Sequence, residues 1–102
     1  MMAPVNIHGA ELTNRALIVS YDLRTKPWNY TAFYTALKGQ GGWWHYLSSS
    51  WIIITTKTPD EVYQALAPHI SVKDLILVMP VTKPAFGYLP QDAWDWINEN
   101  VT

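Results

Sequence analysis

The residues best suited to chemistry on a phosphate are Asp22, Arg24 and Lys26, one carboxylate followed at short spacing by two cations. A carboxylate flanked by small hydroxyls and cations suits a magnesium ion facing a phosphate, with Mn2+ as the alternative. Ser48-Ser49-Ser50 supplies the hydroxyls, Ser50 being next to the following apolar run. The competing role for Asp22 is to cap the loop behind it or to pair with Arg24. A second group is Trp43-Trp44-His45. Its indole rings suit stacking on bases, and His45 reads equally as a base, a stacked ring or a buried hydrogen-bonded histidine. Other chemistries are excluded. The chain has no cysteine, so thiolate zinc sites, disulfides and cysteine nucleophiles are absent. His8, His45 and His69 have no zinc-ligand spacing. Gly39-Gln40-Gly41-Gly42 lacks the Lys-Ser/Thr of a phosphate-binding loop, and no serine-hydrolase elbow is present.

These side chains need elements to position them. Ala16 to Leu23 is rich in β-favouring residues and predicts a strand that ends near Asp22. From Asn29, a candidate N-cap, Tyr30, Phe33, Tyr34 and Leu37 recur at helical spacing, and Gly39, Gly41 and Gly42 end that helix. Trp43–Leu47 and Trp51–Lys57 predict two strands joined by the three serines as a hairpin. Thr58-Pro59-Asp60-Glu61 combines a cap, a proline at the first helical position and a capping-box glutamate. Leu75 to Met79 predicts a last strand, and Pro90 opens a short helix with Ala93, Trp96 and Ile97 on one face.

The resulting fold class is α+β, a ferredoxin-like βαββαβ with an antiparallel four-stranded sheet in the order 4-1-3-2 and an added C-terminal helix. Residues 1–14 read as a poorly ordered N-terminal segment and residues 15–102 as one domain. Leu75, Leu77 and Met79 point one way along the last strand, Ile76 and Val78 the other, so both faces of the sheet need cover. The C-terminal helix covers part of the second face, and a homodimer covers the rest.

Composition agrees with a folded, partner-forming domain. Of 102 residues, 49% are hydrophobic and 15% charged, so a core is affordable while charge alone cannot coat the surface. Six Trp, six Tyr and two Phe supply much of that core. A net charge of −1 provides no bulk field toward nucleic acid or anionic membrane. No signal peptide or apolar run of membrane-spanning length is seen, which predicts a cytoplasmic protein without membrane attachment.

Ser20-Tyr21-Asp22-Leu23, Trp43-Trp44-His45 and Ser50-Trp51 resemble the small bacterial SinR-like protein family, over about Ala16 to Ile97 with the Ala85-Phe86-Gly87 and Trp94-Asp95-Trp96 tail. More remotely, a first strand ending in Tyr-Asp is similar to CRISPR-associated adaptation protein 2 and virulence-associated protein D. That resemblance implies a ferredoxin-like homodimer of the defence or toxin type with metal-dependent nuclease activity on RNA or DNA. Asp22 then stands where the catalytic, metal-binding acid closes the first strand, with Arg24, Lys26, Ser50, Trp43 and His45 toward the substrate. The chain departs from the adaptation proteins in lacking their basic character and their extra C-terminal strand. One acid per subunit makes a weak metal site unless two Asp22 meet across a dimer axis. The alternative is a non-catalytic subunit of the same fold that binds nucleic acid, nucleotide or protein.

Overall fold

The computed structural model describes residues 1–5, 14–25 and 29–102. They form an α+β fold with an open antiparallel sheet of five strands and three helices. In chain order the elements are β1 (Met2–Ala3), β2 (Arg15–Asp22), α1 (Thr31–Lys38), β3 (Gly42–Leu47), β4 (Ser50–Thr55), α2 (Pro59–Leu66), a 3-10 turn (Ala67–His69), β5 (Leu75–Pro80) and α3 (Gln91–Asn100). The sheet order is β1-β3-β4-β2-β5.

The sheet therefore has five strands where four were expected. Met2–Ala3, from the segment read as an N-terminal tail, pairs with Trp43 and Trp44 and forms one edge. The His45 N–H donates to the Met1 carbonyl at 2.6 Å and extends that pairing. So short a strand leaves no alternation in a sequence. Residues 6–13, the rest of that tail, lie outside the described residues, as do residues 26–28 and hence Lys26.

Each face of the sheet carries its own core. On one, α1 and α2 bury Phe33, Leu37, Val62 and Leu66 against Leu17, Val19, Tyr21, Trp51 and Ile53. The aromatic stripe expected on α1 packs here, Tyr30 and Tyr34 at its margin. On the other, α3 packs Ala93, Trp96 and Ile97 against Trp44 and Ile54, as their shared face predicted. The caps follow local chemistry. Thr58 and Glu61 form the expected reciprocal capping box at the start of α2. Helix α1 starts two residues past Asn29, whose Oδ1 accepts from the Thr31 N–H at 2.9 Å and its hydroxyl at 2.6 Å. Ser50 belongs to β4, which leaves Ser48 and Ser49 as a two-residue turn.

Two backbone features adjust β3. Its register with β4 runs from Trp44 opposite Ile52 to Leu47 opposite Ser50. His45 and Tyr46 thus share the single opposing position of Trp51, which is a β-bulge. Before β3, Gly41 has φ +154°, and a Cβ there would lie 2.1 Å from the Ile54 carbonyl oxygen. Gly41→Ala is expected to cost about 2 kcal/mol or more, because this conformation is essentially confined to glycine. Urea unfolding measures it, and an unchanged midpoint contradicts the close approach.

Candidate functional site

Among the described residues, the sheet's second face is covered in part. Helix α3 packs over β3 and β4 and reaches Ala16 of β2, whereas the β5 side stays exposed. Register aligns Asp22 with Leu75, Ser20 with Leu77 and Ile18 with Met79 on that side. Leu75, Leu77 and Met79 are 52%, 56% and 45% exposed, although their β-propensity and apolar character suit burial. Asp22, Ser20, Leu75 and Leu77 line a shallow hollow of about 280 Å³.

The polar groups of this hollow already have partners. Asp22 Oδ2 accepts from Arg24 Nε at 2.8 Å, both side chains being 57% exposed. The Ser20 and Ser50 hydroxyls lie 3.0 Å apart. Asp22, Arg24 and Ser50 are thus gathered at one end of the open half-sheet. Trp43 and His45 are not with them, because they lie on the helix-covered face near α1. The pairing of Asp22 with Arg24 is the competing role its spacing allowed.

On that other face, Tyr34, Lys38, Trp43, His45 and Trp51 line a cleft of about 220 Å³ together with Met1. The His45 ring stacks on Trp51 with centroids 4.1 Å apart and planes at 14°. Lys38 Nζ stands 5.3 Å from the centroid of the Trp43 ring, a cation–π distance. Trp51 is fixed from behind, its Nε1–H donating to the Tyr21 hydroxyl at 2.9 Å. Burial pushes the Tyr21 phenol up to about 12, against the lowering effect of the Trp51 bond.

A third polar centre was missed as a unit. Asp74 is buried. Its Oδ1 accepts from the backbone N–H groups of Arg24 and Thr25 at 2.7 and 3.3 Å, and its Oδ2 from Ser71 at 2.8 Å. The Tyr30 hydroxyl donates to the same carboxylate at 2.7 Å. Burial raises the Asp74 pKa, but the donors from Arg24, Ser71, Tyr30 and Thr25 outweigh it and hold the carboxyl below its ordinary range. Burial first, and then Asp74, raise that of Tyr30. This carboxylate ties the loop after Asp22 to α1 and to the start of β5. Its signal in the sequence was one acid at a strand start. The donors lie far away in the chain, so spacing does not reveal them. Elsewhere, the Tyr46 hydroxyl donates to Asp92 at 2.7 Å, and this bond, with burial, moves its pKa up to about 12.

Among the described residues, no three or more His, Cys, Asp or Glu side chains converge to hold a metal ion. Asp22 enters this arrangement as a single carboxylate paired with the Arg24 guanidinium. No protein-family model, curated protein or solved structure matches this chain. Among the described residues, no helix is long and apolar enough to cross a membrane.

Proposed function

We propose that this chain is a homodimeric, nuclease-like protein of the defence or toxin type acting on phosphodiesters of RNA or DNA. The observation that carries the reading is the open β2–β5 half-sheet, where an apolar row runs beside Asp22. The run β5-β2-β4-β3 within the sheet, with α1 and α2 on one face, supports the ferredoxin-like assignment. Phe86 and Tyr88, in the segment leading from β5 to α3, are fully exposed. Leu75, Leu77 and Met79 form an exposed apolar row along β5, the kind of patch that marks an interaction surface. Twofold pairing of the open halves about an axis that passes beside Asp22, at the Leu75 end of the row, brings two Asp22 together. Mg2+ or Mn2+ needs both carboxylates, and Arg24 and Ser50 of each protomer then border the substrate.

Asp22→Asn keeps the side chain's shape and removes its charge. The variant is expected to fold and dimerise within about 1 kcal/mol of the wild type, as surface changes do, while metal-dependent cleavage of RNA and DNA disappears. Sedimentation at micromolar concentration and a cleavage assay with each metal measure the two parts. A wild type that sediments as a monomer removes the shared site. A dimer that cleaves neither nucleic acid with either metal removes the nuclease reading and leaves a binding subunit.

A further inference from the structure

A second site lies on the opposite face, at the β1–β3 edge beside α1, and it does not depend on Asp22 or on dimerisation. We propose that the cleft between Tyr34, Lys38, Trp43, His45 and Trp51 binds a single nucleobase carrying a phosphate. Among the described residues, the cleft is lined by the rings of Tyr34, Trp43, His45 and Trp51 with Met1 and Lys38, and by no acidic side chain. Planar walls favour a flat ring by stacking, and stacking accepts any base because each presents a π-face. Lys38 Nζ lies over the Trp43 ring, so a base that stacks on that indole meets the ammonium directly and turns it toward the base's own substituents. An anionic substituent on such a ring pairs with this exposed ammonium in a charge-assisted contact.

The cleft's size limits the ligand. At about 220 Å³ it falls below the roughly 300–1,000 Å³ of pockets for drug-sized molecules. It therefore takes one ring system with part of its sugar, as a free mononucleotide or as one nucleotide of a single strand. The walls are also held in place. Trp51 is buried and bonded to Tyr21, and His45 lies flat on Trp51 at the bulge. Little ordering of these rings remains for a ligand to impose.

The test uses adenosine 5′-monophosphate, adenosine and a 5′-phosphorylated oligoadenylate with the intact protein, read by calorimetry and tryptophan fluorescence. The monophosphate should bind at least about fivefold more tightly than adenosine and should quench tryptophan emission. Lys38→Gln, an exposed change, should abolish that difference. Trp43→Ala should weaken both ligands about tenfold or more, the scale of a lost base stack, and Trp43→Phe should restore part of the loss. Tighter binding of the oligonucleotide identifies a strand as the source of the nucleotide, and weaker binding identifies the free nucleotide. Equal binding of monophosphate and adenosine, no binding of either, or an unchanged Lys38→Gln variant overturns the proposal. So does a folded Trp43→Ala variant that binds as the wild type does.

Discussion

Trp44→Ala should remove about 3–5 kcal/mol of stability, the range for deleting a buried tryptophan. Trp44 is 2% exposed between the sheet and α3, beside Ile54, Trp96 and Ile97. Its Nε1–H donates to the Ala93 carbonyl at 3.1 Å, so truncation opens a cavity and also removes a donor that α3 uses. In a domain of this length each kcal/mol moves Tm by roughly 4–8 °C, so thermal unfolding should shift by well over 10 °C. Trp43 is only partly buried, so Trp43→Phe should cost much less. A loss below about 1 kcal/mol for Trp44→Ala would mean that α3 is not anchored through this ring.

Asp74→Asn should be nearly as damaging, at about 3 kcal/mol or more. The carboxylate accepts four donors, and an amide presents N–H groups of its own to some of them, stranding buried donors at about 1–3 kcal/mol each. Acid should have a related effect on the wild type. Because the folded-state pKa of Asp74 is lowered from the ordinary 3.8, its contribution is complete above that value and is lost as pH falls below it. Stability measured by urea unfolding from pH 7 to pH 2.5 should decline on the acid side. In Asp74→Asn that acid-side decline should be shallower. Parallel pH profiles for the two proteins would assign acid sensitivity to other carboxylates.

Much of this architecture was legible because it rests on local rules. The β-favouring run of β2, the helical recurrence of Phe33 and Leu37, the Thr58–Glu61 box and the shared face of Ala93, Trp96 and Ile97 each act within one element. The two-sided apolar pattern of β5 also foretold a face that α3 covers only in part. Three features were not legible, for physical reasons. Met2–Ala3 is too short to show alternation. The bulge at His45 and Tyr46 is set by pairing with β4 and not by the β3 sequence. The donors of Asp74 come from Arg24, Thr25, Tyr30 and Ser71, so only tertiary structure assembles them. Spacing alone separated Asp22, Arg24 and Ser50 from Trp43 and His45 as two groups, but it carries no information on which face of the sheet each group takes. Asp22 and Ser50 lie on the open face, whereas Trp43 and His45 lie on the face covered by α1.

The position of β2 between β4 and the edge strand β5 governs the order in which this chain assembles. Its two neighbours are β4, reached only after α1 and β3, and β5, reached only after α2. During synthesis, Ala16 to Tyr21 leaves the ribosome before either neighbour and waits with both edges unsatisfied. The β3–β4 hairpin closes locally and fast, but it gains a partner in β2 only by closing a long loop. Until β5 arrives, a strand of strong β propensity is exposed to any other extended chain nearby, the period in which such proteins aggregate. Folding yield should therefore depend more on how quickly residues 75–80 reach β2 than on the strength of either helix.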